Sequence, residues 1–304
     1  MAVTDAAEGL RVPGRRGNGL SSATPKLLAV DLDGTLLDRH GRPHEADVRA
    51  LRAAIAAGVR VSIITGRLYS GTRAIAQRVG VEGAVGCADG SHLVCAADHT
   101  TLLHLGLRGN DVRLLRNALA GAGVTAFVFA DDAIGHDTEG APFLGYVSTW
   151  STDIRMQPNV FDHELWSSPA GITAAIAVGP RHRIADAVRA LERDLAAAAF
   201  FVMFPVRRGS PDEVWATLVR AAGGTKGTAI EWIARREGVP MADTVCVGDW
   251  LNDLPMFEMA GRSFAMGQAP DELKAKATDV LDETGEEGGG VARAVAKAFG
   301  ITSA

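Results

Sequence analysis

The chain has 304 residues, enough for one large or two ordinary domains, and 47% of them are hydrophobic, enough for a sizeable core. A net charge of −5 and few aromatics argue against nucleic acid as the main partner, which needs clustered Lys/Arg and stacking rings. No apolar run approaches the roughly 18 residues needed to span a bilayer; with no apolar leader segment and no close pairing among Cys87, Cys95 and Cys246, the expectation is a protein of the reducing cytoplasm, away from membranes.

Residues 1–25, rich in Gly, Pro and Arg, lack helical or strand periodicity and read as a disordered extension. From Leu27 to Val30 a short apolar run predicts a buried strand that delivers Asp31 and Asp33 into a Gly-Thr turn. Val48, Leu51 and Ile55 predict a helix, Val59 to Ile64 a second strand ending at Thr65-Gly66-Arg67, Ser70 to Val79 a second helix, and Gly83 to Cys87 a third strand. This β-α-β-α-β order is that of a doubly wound, mostly parallel sheet. From Asp89 the texture changes. Strands at 91–95, 100–105, 124–130, 172–178, 200–206 and 213–219, with helices at 110–120 and 181–197, predict an inserted α+β module with helices on one face of an antiparallel sheet. The stretch Asp131 to Pro169 carries no clear pattern. The α/β rhythm resumes at Gly223: a helix over 225–237, a strand at Thr244 to Val247 running into Gly248-Asp249-Trp250-Leu251-Asn252-Asp253, and a C-terminal helix from Gly290 to Phe299. The expected organisation is a discontinuous core, 26–88 and 223–304, interrupted by a module over 89–222.

Four strand ends or helix starts in the core carry complementary polar groups: Asp31/Asp33, Thr65, Lys226, and Asp249/Asn252/Asp253. Side chains at the carboxyl ends of parallel strands project into the crevice where such sheets bind ligands. A lysine at a helix start sits at the wrong end of the helix dipole unless it serves an anion.

In order and spacing these groups resemble the haloacid dehalogenase-like (HAD) phosphohydrolase superfamily, through Asp31-Leu32-Asp33-Gly34-Thr35, Thr65, Lys226 and Gly248–Asp253. The fit is to its Cof-type branch, with a C2-type cap between the second and third motifs. The resemblance implies a Rossmann-like HAD core with an inserted cap and hydrolysis of a small phosphorylated metabolite, such as a sugar phosphate or nucleotide-related phosphate. It assigns Asp31 as the nucleophile that forms an aspartyl-phosphate and Asp33 as the acid and base. Thr65, Gly66, Lys226 and Asn252 would bind phosphate. Asp31, the Asp33 carbonyl and Asp249 would ligate Mg²⁺, with Asp253 behind them. Carboxylates meeting at strand ends repel by about 4 kcal/mol per pair at 4 Å and a dielectric near 20, and a hard divalent cation removes that repulsion. The presence of an acid at Asp33 favours transfer to water.

A phosphomutase or phosphotransferase with the same aspartyl-phosphate, and a non-catalytic binding protein on the same fold, are the alternatives. The chain departs from Cof-like sequences at Asp89-Gly90, where Asn-Gly is usual; a substrate-facing Asp would disfavour a second anionic group nearby, but Asp-Gly reads first as turn chemistry. It also departs at Gln268-Ala269 and at Trp250, which replaces a small residue. His92, His99, His104, His136 and His163 read as solvated or structural, and Arg207 and Arg208 as surface residues. The sequence leaves oligomeric state open.

Overall fold

The structure is a computed structural model and describes residues 26–206 and 214–302; the expected N-terminal extension, Arg207 and Arg208 lie outside them. Five short strands form an all-parallel sheet in the order β14-β13-β12-β1-β2: β1 (Leu27–Val30), β2 (Arg60–Ile63), β12 (Thr244–Gly248), β13 (Arg262–Ala265) and β14 (Asp279–Val280). Every residue of β1 is buried, as a strand covered on both faces must be. Leu28 and Val30 point to one side, against α1 (Glu45–Ala56), α2 (Tyr69–Val79) and α9 (Gly290–Phe299). Leu27 and Ala29 point to the other, where α6 (Lys226–Glu237), α7 (Leu254–Met259) and α8 (Asp271–Lys274) lie. The result is a three-layer α/β/α core.

β3 (Ala84–Cys87) continues this sheet through a parallel bridge between Ile64 and Gly86. β4 (His92–Cys95) and β5 (Thr101–His104), expected in the inserted module, form an antiparallel meander with β3 instead. Their runs were legible as strands, but alternation names a strand and not its partner.

The second sheet has six strands in the order β10-β11-β9-β6-β7-β8: β6 (Thr125–Ala130), β7 (Ala133–His136), β8 (Ile154–Met156), β9 (Ala174–Pro180), β10 (Ala199–Pro205) and β11 (Val214–Ala221). Its pairs are antiparallel except β7 with β8. On one face α3 (Asn110–Ala122) and α5 (Arg181–Leu195) bury Leu115, Leu119, Ile184 and Leu191 against Val128, Ala175 and Val219, the helices-on-one-face module that the sequence predicts. On the other face Phe127, Phe129 and Ile176 pack with Leu68 and Ala88 of the first unit, near the short helix α4 (Leu144–Val147). The patternless stretch thus supplies β7, β8 and α4. No helix among the described residues is long and apolar enough to cross a membrane.

Candidate active site

Strand register brings the polar groups together. Val30 stands opposite both Val247 and Ile63, so the three strands end at one level. Asp31, Asp249 and Thr65, each within two residues of a strand end, therefore gather at one sheet edge. The turn after β1 is fixed by Gly34, at φ +82°, where an added Cβ would lie 2.3 Å from an oxygen of Asp249. No side chain fits there, and the left-handed backbone disfavours one as well.

Lys226 is the first residue of α6, capped by reciprocal bonds between Thr225 and Thr228. It is fully buried, and its Nζ donates to Asp31 Oδ1 and Asp253 Oδ1, both at 2.6 Å. The other oxygen of Asp253 accepts from the backbone N–H of Asp249 (2.8 Å) and of Trp250 (3.0 Å). Asp253 therefore spends both oxygens on protein donors. Asp249 accepts at Oδ1 from Thr35 Oγ1 (3.0 Å) and at Oδ2 from Gln268 Nε2 (3.2 Å), which also donates to the Gly34 carbonyl at 2.6 Å. Thr65 is buried, its backbone N–H bound to Gly86 and its hydroxyl accepting from the Arg67 N–H at 3.2 Å. Asn252 points its amide at Asp89, 2.9 Å away.

Asp33 is the exception. Its carboxylate is half exposed and turned to Arg67, whose Nε lies 2.8 Å away and whose Nη2 closes a second contact. The structure thus gathers Asp31, Asp249, Asp253, Lys226 and Thr65 and sets the Asp33 side chain at the mouth. Four contributors went unread in the sequence: Arg67, Thr35, Gln268 and the carboxylate of Asp89. Arg67 and Thr35 lie inside the quoted motifs, two residues from Thr65 and from Asp33, which was the available signal.

The electrostatics are those of a site with surplus negative charge. Burial pushes the Asp31 carboxyl well above the carboxylate range, against the pull of Lys226, and Asp253 and Asp249 add to the rise. Burial, with Asp253 beside it, pushes Asp249 up to about 6. Burial opposes the charge on Lys226, but Asp253, Asp31 and Asp89 outweigh it and hold the ammonium protonated above lysine's usual range. Oxygens of Asp31, Asp249 and Asp253 lie within 4.8 Å of one another. Three buried carboxylates facing one ammonium form a donor set that fits a hard divalent cation.

A pH dependence follows. A carboxyl whose folded value exceeds its unfolded one weakens the fold as pH rises, here from about 4 through about 6 for Asp249 without metal. A divalent cation held there would need the ionised form, so its binding should release protons near pH 6 and tighten as pH rises through that value. Calorimetry in buffers of different ionisation enthalpy reads this; binding without proton release near pH 6 would contradict it.

A doubly wound parallel sheet with an acidic cluster at its strand ends and an inserted α+β module defines an α/β protein of the kind that binds ligands at the strands' carboxyl edge. A sequence model of the haloacid dehalogenase-like hydrolases matches residues 28–295, and the chain belongs to that family. It is 26% identical over 254 residues to the HMP-PP phosphatase of Yersinia enterocolitica, covering 82% of this chain and 86% of that protein. It is also 26% identical over 283 residues to the 5-amino-6-(5-phospho-D-ribitylamino)uracil phosphatase of Bacillus subtilis, covering 86% and 95%. Among solved structures, a haloacid dehalogenase-like hydrolase from Bacteroides thetaiotaomicron superposes with a TM-score of 0.76 at 20% identity, over 90% of this chain and all of that one. A HAD subclass IIB sugar phosphatase superposes at 0.69 and 21% identity, over 90% and 99%.

Proposed function

We propose that this protein is a Mg²⁺-dependent phosphatase that hydrolyses a small phosphorylated metabolite through an aspartyl-phosphate on Asp31. The observation that carries the proposal is the buried Lys226 held between Asp31 and Asp253 beside Asp249, an arrangement that serves an anion attacked at phosphorus. The relatives' substrates, HMP-PP and a phosphoribityl-aminouracil, and the sugar phosphatase among the structural neighbours support the substrate class.

In this reading Asp31 and Asp249, with the Asp33 carbonyl, hold the cation, which when bound neutralises their charge and that of the phosphate. Asp253 leaves this set because one oxygen is ion-paired with Lys226 and the other holds two backbone N–H groups, whereas Asp249 accepts only from the neutral side chains of Thr35 and Gln268. Asp253 fixes the lysine and shapes the loop. Lys226, Thr65, Gly66 and Asn252 bind the non-bridging oxygens. Asp31 attacks in line, and Asp33 protonates the departing oxygen and then takes a proton from the water that attacks the intermediate. Arg67 holds the Asp33 carboxylate at the mouth, where a leaving group would stand. The six-stranded module covers the crevice, and on strand pairing we set its beginning after His104 rather than at Asp89. The cytoplasm remains the compartment we propose.

A screen of phosphorylated metabolites with Mg²⁺ and with EDTA, reading free phosphate, tests the proposal. Mg²⁺-dependent release is expected; isomerised product without stoichiometric phosphate would instead identify a mutase. Asp33→Asn should lower kcat by about 10²- to 10⁴-fold while leaving Mg²⁺ affinity nearly intact, because the cation would meet only its carbonyl. Equal losses of both would refute that division.

A further inference from the structure

The turn at Ala88-Asp89-Gly90 does more than reverse the chain. The turn reading accounts for its backbone: Ala88 and Asp89 lie in the left-handed region, and Gly90 follows at φ +92° with an added Cβ only 2.3 Å from the Thr225 carbonyl oxygen. It does not account for the Asp89 side chain, which is 8% exposed. Its Oδ1 accepts from Asn252 Nδ2 at 2.9 Å, and its Oδ2 lies 3.4 Å from Nη1 of Arg220. That same nitrogen donates to the carbonyls of Ala88 (3.2 Å) and Asp89 (3.4 Å). Arg220 comes from β11 of the six-stranded sheet, is 6% exposed, and stacks on Phe200 at 4.9 Å.

Asp89 also borders the anion site. Its backbone N–H donates to the Thr65 carbonyl at 2.9 Å, and a Cβ on Gly66 would lie 3.5 Å from its Oδ1. An uncompensated carboxylate here would repel phosphate. With asparagine at this position that conflict would not arise, and no cation would be required.

We propose that Arg220 is a positioning residue for phosphate: it cancels the buried charge of Asp89, so that Asp89 can orient the Asn252 amide without repelling the anion. The proposal rests on the phosphatase reading for its substrate, but the anion site itself can be tested without turnover. It makes the electrostatics of the core depend on a side chain from the inserted module.

The test is a double-mutant cycle read by orthophosphate binding in the presence of Mg²⁺, with melting temperatures recorded alongside. Arg220→Met should weaken orthophosphate binding by about 10- to 100-fold and raise KM more than it lowers kcat, because it leaves a bare carboxylate beside the anion. Adding Asp89→Asn should restore affinity to within about threefold of wild type, a rescue that a merely structural brace would not give. Arg220→Lys, which keeps the charge, should bind within about fivefold of wild type and serves if the methionine variant fails to fold. A double variant as weak as Arg220→Met, or an Arg220→Lys variant as weak as a charge deletion, would overturn the proposal. If the cycle shows the rescue but no phosphoester is hydrolysed, the phosphatase reading fails and this inference stands. Failure of the wild type to bind orthophosphate would overturn both.

Discussion

Asp31→Asn is expected to lower turnover on the order of 10⁴-fold or more, with the fold intact and substrate still bound. Asparagine keeps the shape and an acceptor for Lys226, whose Nζ sits 2.6 Å from Asp31 Oδ1, but it has no free carboxylate to attack phosphorus. Trapping should separate the cases: the wild type denatured during turnover should carry acid-stable, base-labile phosphate, and the variant none. A variant that kept its turnover would refute Asp31 as the nucleophile, and one that kept its full biological activity without turnover would return the chain to the non-catalytic alternative. The substitution also removes one of the mutually repelling carboxylates, so its melting temperature without metal should equal or exceed that of the wild type.

Lys226→Met should damage both stability and activity. The ammonium is fully buried and is the cation that Asp31 and Asp253 share. Its removal leaves two buried carboxylates without their ion pair, which costs about 3–5 kcal/mol at neutral pH. Burial already raises the Asp31 carboxyl, and without the pull of the lysine it would ionise at still higher pH in the fold, so the penalty grows as pH rises from about 4 and fades as pH falls back toward it. Denaturant melts at several pH values measure this. A pH-independent loss would mean that the lysine acts through packing alone. Turnover should fall as well, because Asp253 would lose the partner it steadies and phosphate would lose a donor.

The core was legible because its strands are buried on both faces and read as short apolar runs, and because the chemistry sits where those runs stop. Asp31, Thr65 and Asp249 fell into place once Val30, Val247 and Ile63 shared a level. What the sequence hid was pairing. The runs at 92–95 and 101–104 look like any half-buried strands, and nothing local says that they extend the core sheet. β7 and β8 were missed because one is four residues long and contains Gly135, and the other has three residues, none of them buried. Side-chain partners were hidden for a related reason. Nothing local marks Arg67 or Arg220 until the fold brings Asp33 and Asp89 to them across 34 and 131 positions of chain. At Asp89 the turn reading holds for the backbone, while the carboxylate's partners, Asn252 and Arg220, come from distant parts of the chain.

The place of β1 in the sheet also bears on how the molecule is made. Its two neighbours come from opposite ends of the chain, with Leu27 beside Arg60 on one side and Thr244 on the other. During synthesis β2 is available soon after β1, but the second edge of β1 stays open until the ribosome has passed β12. The six-stranded sheet, by contrast, has all its strands and both helices within 110–221, so it can fold while the core is still incomplete. A nascent chain halted near residue 222 would leave the backbone N–H and C=O groups along one edge of β1 unpaired, on a strand of apolar residues, a template for pairing with other chains. The residues after 222 complete the sheet as well as the site, and that long-range closure places this chain among proteins whose topology makes folding slow.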